Sequence, residues 1–125
     1  MILVIFEVEP NAGRTDAYLK AAQDLRPLLE GVDGFISVER FESLSMPGKL
    51  LSLSCWRDEE AVQRWRNNER HRQIQKAGRE YIFAQYRLRV AQILRDYGMR
   101  DRTEAPQDSR QTHSSASDSL DLNGK

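Results

Sequence analysis

Cysteine is nearly absent from this 125-residue chain: Cys55 stands alone, so no intramolecular disulfide and no CxxC redox or metal pair can form. Histidine is almost as scarce, with His71 and His113 only, and no metal-ligand spacing occurs. P-loop, GxGxxG, HExxH and GxSxG motifs are all missing, which removes nucleotide binding, zinc proteolysis and nucleophile-elbow hydrolysis. An excess of either charge is lacking too. Lys plus Arg and Asp plus Glu each number 19, so nothing draws the chain toward nucleic acid or anionic lipid. No apolar run reaches the roughly 18 residues of a membrane span. The opening "MILVIFEVEP" has no basic n-region and is interrupted by Glu7 and Glu9, so it reads as a strand and not as a signal. A lone thiol suits a reducing compartment, and a cytoplasmic protein without nucleic-acid or membrane partners is expected.

What is present reads as one domain over residues 1–98, with a disordered polar tail over residues 99–125 that contains His113. Ile2 to Val8 predicts a strand, and the "EPNAGR" that follows predicts a loop. Tyr18, Ala21, Ala22, Leu25, Leu28 and Leu29 recur at helical spacing, with Thr15 or Asp16 as the expected cap, Pro27 as a kink and Gly31 as the stop. "GFISVERFES" alternates as a strand with Phe35, Ser37, Glu39 and Phe41 on one face. "MPG" turns the chain into a third strand, "LLSLSCW". Asp58 should cap a second helix whose inner spacing runs through Val62, Trp65, Glu69 and Arg72, loosened at "NNE", continued by Ile74 and Ala77 and stopped by Gly78. "YIFAQYRLRVAQIL" closes as a fourth strand, with Tyr86, Leu88 and Val90 on one face.

The order βαββαβ predicts an α+β, ferredoxin-like fold with an antiparallel sheet. Strand one is apolar on both faces, which predicts a second copy of the chain stacked sheet to sheet as a dimeric α+β barrel. This order, together with "GFISVERFES", "LLSLSCW", "DEEAVQRW", a histidine six residues after Trp65 and "YRLRVAQILRDYG", resembles the antibiotic biosynthesis monooxygenase-like family over residues 1–98.

The resemblance implies a homodimer with a small pocket between sheet and helices, and an activity drawn from a varied set. Some members are cofactor-free oxygenases of polycyclic phenols and quinones, some degrade haem, and some have no established substrate. Trp65 matches the pocket tryptophan of the cofactor-free members, and His71 stands where a tyrosine or histidine is common. Ala61 replaces the asparagine those members carry one turn earlier. Of the haem-degrading pattern only Trp65 is retained, since Phe6 and Glu7 stand near the strand-one asparagine and Gln75 near the iron-ligand position.

The expectation is therefore a monooxygenase that oxidises a small phenolic or quinol-type aromatic with dioxygen and no cofactor. His71 would be the base, its ordinary pKa of about 6.5 suiting proton transfer near neutrality. Trp65 would share the catalytic site, and Trp56, Phe35, Arg40 and Tyr86 would contact substrate. The alternatives are a haem-binding, haem-degrading oxygenase with a displaced His71 ligand, and a non-catalytic dimer that binds a small ligand. Each residue also has a bland use: Trp56 and Trp65 as core filler, His71 as a solvated side chain, Cys55 as inert packing. Glu39, Arg40, Arg87 and Arg89 can serve as cross-strand or intersubunit ion pairs.

Overall fold

The computed structural model describes residues 1–110, apart from the side chains of residues 69, 70, 78 and 81. Four strands, β1 (Ile2–Pro10), β2 (Phe35–Glu42), β3 (Leu50–Trp56) and β4 (Phe83–Gln92), form one antiparallel sheet in the order β2-β3-β1-β4. Helix α1 (Thr15–Glu30) follows β1, and α2 (Glu59–Arg66) and α3 (Glu69–Ala77) lie between β3 and β4. This is the expected α+β, ferredoxin-like arrangement. A π-helical turn, Gly78–Ile82, intervenes where Gly78 was expected simply to end the helix.

β1 takes a central place because it is apolar on both faces. Its pairing with β3 (Ile2 to Trp56, Phe6 to Ser52) and with β4 (Val4 to Val90, Phe6 to Leu88) sets Ile2, Val4, Phe6 and Val8 toward the helices. Leu3, Ile5 and Glu7 alternate onto the far face, where Glu7 accepts a 2.6 Å contact from Arg89 and a 2.9 Å contact from Lys49. Those two cations hold its carboxyl below the usual glutamate range. Arg89 thus takes the cross-strand pairing foreseen for it. Arg40 has no ion-pair or hydrogen-bond partner at its side chain among the described residues.

Three local expectations are corrected. Neither Thr15 nor Asp16 caps α1: both lie inside the helix, and Arg14 at the cap position offers no side-chain acceptor. Phe35 does not share a face with Ser37 and Glu39, because the register shifts between Phe35 and Ser37, Ile36 swings out (49% exposed), and Phe35 meets Trp56 edge to face at 5.3 Å. Arg72 does not continue the inner face of α2. It lies exposed in α3 and reaches back to the Arg66 carbonyl (3.0 Å) and the Asn67 side chain.

The core gathers Ile2, Leu29, Trp56 (1% exposed) and Ala61 (0%), with Val4, Val32, Phe35, Val38, Val62 and Trp65 around it. Asp58 caps α2 as expected, accepting from the Ala61 N–H at 2.9 Å, and Glu59 and Glu60 face the positive end of the helix dipole. From Ile93 onward a second compact unit has its own ties, among them Arg102 over the Tyr97 ring and Arg110 donating to the Ala105 and Thr103 carbonyls (2.8 Å each). Of the tail expected to be disordered, residues 99–110 carry turns and this bonding, while residues 111–125, with His113, lie outside the described residues.

Gly34 couples β2 to α2. Its φ is +94°, and a Cβ there would stand 2.6 Å from the Ala61 Cβ, whereas Gly48 has a similar φ of +88° in open space. Gly48→Ala should therefore lose only the backbone term of about 1–2 kcal/mol. Gly34→Ala should lose at least about 1 kcal/mol more through overpacking. Urea unfolding of the two variants measures the difference, and equal losses would show that the Gly34–Ala61 contact is not tight.

Candidate functional site

A cavity of about 230 Å³ lies between the helix-facing side of the sheet and the three helices. The register of the sheet builds its floor as cross-strand rows. Arg40 pairs with Ser52, Ser52 with Phe6, and Phe6 with Leu88, so one row crosses all four strands. The next row is Val38, Ser54, Val4 and Val90. At the β4 end Phe6, Tyr18, Phe83 and Tyr86 pack ring against ring with centroids 5.6–6.5 Å apart. The walls come from Tyr18, Ala22 and Leu29 of α1, Val62 and Trp65 of α2, and His71, Ile74 and Gln75 of α3.

His71 and Trp65 meet although their separation argues against it. On one continuous helix six residues are about 600°, which would leave them some 120° apart around the axis. The helix is not continuous. α2 stops at Arg66, Asn67 and Asn68 bond back to the carbonyls of Gln63 and Trp65 (3.0 Å each), and the Asn68 side chain accepts from the His71 N–H at 3.0 Å to start α3. The two helices meet at this break, and the imidazole stacks on the indole with centroids 4.4 Å apart and planes 27° from parallel.

That position governs the imidazole's charge. Burial pushes the His71 pKa down to about 4; a hydrogen bond to the Trp65 backbone opposes the shift, and the Arg72 charge adds to it. Its Nδ1 is buried without a hydrogen-bond partner. His71 is therefore neutral at physiological pH.

Among the residues expected to act, His71, Trp65, Trp56, Arg40 and Tyr86 all line the cavity. Phe35 does not: the β2 bulge turns it under Trp56, where it packs as core. Trp56 is both core and wall, its Nε1–H donating to Ser54 Oγ at 2.9 Å. Ala61, where the resemblance implies an asparagine, is fully buried against Gly34, so the position has no room for a larger side chain and does not reach the cavity.

Sequence reasoning missed Ser52 and Ser54, the Phe6, Tyr18 and Phe83 rings that gather round Tyr86 at the β4 end, and the rim arginines Arg26, Arg66 and Arg79. The serines were visible as small polar residues alternating on the Trp56 face of β3. The rim arginines sit on three different elements, so no local pattern marks them. Among the described side chains no Asp or Glu lines the cavity.

Gln75, at the iron-ligand position of the haem-degrading pattern, brings an amide, a poor ligand for iron, to the cavity wall, so of the described side chains there only His71 is a good donor for haem iron. Among the described residues no group of three or more His, Cys, Asp or Glu side chains can hold a metal ion, and no helix is long and apolar enough to cross a membrane.

Residues 1–77 match the family model described as antibiotic biosynthesis monooxygenase. A protein of Pyricularia oryzae, named jasmonate monooxygenase ABM, is 47% identical over 93 residues, which is 74% of this chain and 43% of that one; the chain thus spans less than half the relative's length. Among solved structures, a Deinococcus radiodurans protein superposes with a TM-score of 0.70 at 14% identity, covering 79% of this chain and 98% of that one. A Mycobacterium tuberculosis protein does so with a TM-score of 0.69 at 18% identity, covering 78% and 98%. At such identities these two speak for the fold alone, while the family model and the Pyricularia sequence place the chain itself: it belongs to the antibiotic biosynthesis monooxygenase family.

Proposed function

We propose that the chain is a monooxygenase that oxidises a small phenol or quinol with dioxygen and no tightly bound cofactor. The observation that carries this reading is the neutral His71 stacked on Trp65 in the cavity wall. A neutral imidazole accepts a hydrogen bond from the substrate hydroxyl. It is a weak base, however, since a phenol's pKa is about 10. Its part is therefore to orient the hydroxyl, and the phenolate charge falls to the cavity arginines. The apolar walls keep water from the reacting carbon.

The reaction balances without an outside reductant. A phenol with a free para position loses its hydroxyl proton and the para C–H, and gains one oxygen atom from dioxygen as the quinone carbonyl. The other oxygen leaves as water, and all four electrons come from the substrate. Jasmonate, for which the Pyricularia relative is named, is a cyclopentanone bearing a carboxylate. Hydroxylating a saturated carbon of such a molecule would need two further electrons, so it is a probe to be tried with and without reductant.

The far face of the sheet, with Leu3, Ile5, Leu51 and Leu53, supports the homodimer foreseen from the sequence, and a sedimentation mass near twice the 14.5 kDa chain is the expected result. A mass of one chain at micromolar concentration overturns it.

Oxygen uptake across phenols, hydroquinones and jasmonate, with and without flavin, tests the activity. A phenol should consume one dioxygen per quinone, and a quinol one per hydroxyquinone with the oxygen entering at a ring C–H, both without flavin; His71→Phe, which removes the group that orients the hydroxyl, should lower kcat about 100-fold. Silence across the panel would leave a ligand-binding role, and a stable Soret shift with loss of the haem band on adding hemin and reductant would establish haem degradation instead.

The low His71 pKa also has a sign for stability. Between about 4 and 6.5 the unfolded chain binds a proton at this residue that the folded chain does not, so the His71 contribution is lost as pH falls through that window and is constant above it. Tm measured from pH 8 to 4 should fall less steeply below pH 6.5 for His71→Phe than for the wild type. Parallel curves would mean that His71 titrates normally.

A further inference from the structure

The cavity is polar at one end and apolar at the other, and the direction runs across the strands. In the row Arg40, Ser52, Phe6, Leu88, a guanidinium on edge strand β2 is followed by a hydroxyl on β3, an aromatic ring on β1 and an aliphatic chain on edge strand β4. Three interstrand spacings make this axis roughly 14 Å long. The row beside it repeats the trend, with Ser54 on β3 and Val4 and Val90 beyond it. The aromatic group of Phe6, Tyr18, Phe83 and Tyr86 gathers at the apolar end.

The charges of the cavity are one-sided. Arg26, Arg40, Arg66 and Arg79 line it, and among the described side chains no carboxylate does. Arg26, Arg66 and Arg79 are exposed at its rim, and Arg26 is already paired with Glu30 at 3.1 Å. Arg40 is half-buried, and its Nε–H is shut away from water with no acceptor. A half-buried guanidinium without a counter-charge loses part of its hydration, and an incoming anion offsets that loss.

We propose that this cavity takes an elongated organic anion with a single carboxylate head, and that Arg40 is the specificity-determining residue that holds the head while β1 and β4 hold the apolar body. The proposal rests on the reading of this cavity as the substrate site. It narrows the substrate to acids, the oxidisable carbon lying on the apolar body away from Arg40. A guanidinium matches a carboxylate with two parallel hydrogen bonds, and Ser52 stands beside it in register as a further hydroxyl donor. Neutral analogues lose this pairing and leave the guanidinium without a counter-charge.

Binding, not turnover, is the test, so the result does not depend on the oxygenase reaction. Octanoate and methyl octanoate are titrated into the full chain at pH 7 without oxygen, with tryptophan fluorescence as the signal because Trp65 and Trp56 form part of the wall. The wild type should bind octanoate at least tenfold more tightly than the ester. Arg40→Gln should reduce that ratio to about one while changing the ester's affinity less than threefold. Should Arg40→Gln fail to fold, Arg40→Lys and salt titration of the wild type replace it: Lys should retain a partial preference, and the acid-to-ester ratio should shrink as salt rises. Equal affinity of the two ligands in the wild type, or an undiminished preference in the Arg40 variants, overturns the proposal. If octanoate binds as described and no phenol or acid is ever oxidised, the anion site stands and the oxygenase reading falls.

Discussion

The stack of His71 on Trp65 decides what the cavity is. Both rings exist in the sequence as parts of a highly charged run, and in a straight helix they would face different ways. The pair of asparagines at 67 and 68 ends one helix and begins another, using the Asn68 side chain as the new cap. That single interruption carries the imidazole into the cavity wall, covers one of its faces with indole and half-buries it, with Nδ1 shut from water. Its neutrality follows from this burial, and so does its fitness to orient a hydroxyl in place of a solvated histidine's ordinary titration.

The second constraint is the register of the sheet. Because β1 is apolar on both faces it takes a central position, and β3 then lays Ser52 and Ser54 beside Arg40 and Val38 of β2. Polarity thus declines in a line across the sheet from β2 to β4. Each strand alone shows only alternation; the gradient appears when four registers are set side by side. Gly34 fastens this arrangement to α2, since its bare Cα lets Ala61 pack against the start of β2, and the same contact leaves Ala61 no freedom to serve the cavity.

The strands and helices were legible because their periods are strong: alternation in β3 and β4, helical spacing from Tyr18 to Leu29, an Asp58 cap followed by two glutamates. Phe35 was placed wrongly because a bulge at Ile36 shifts every face assignment before it, and nothing in "GFIS" announces one. Arg40 was visible as a charge on a strand, though its lack of a partner was not, because partners come from other strands. Trp65 and His71 were legible as residue types suited to a site. Their contact was not, because it depends on how far the chain turns at "NNE". The aromatic group of Phe6, Tyr18, Phe83 and Tyr86 joins three elements distant in sequence and became visible only with the topology.

Nuclear magnetic resonance of the His71 ring tests the central claim most directly. Lying 4.4 Å from the Trp65 ring, the imidazole protons should be displaced upfield by the indole ring current. Their shifts should stay flat from pH 8 to about 5 and move only as pH approaches about 4. An ordinary titration centred near 6.5, with shifts typical of a solvated histidine, would contradict the account and return this stretch to the role of scaffold.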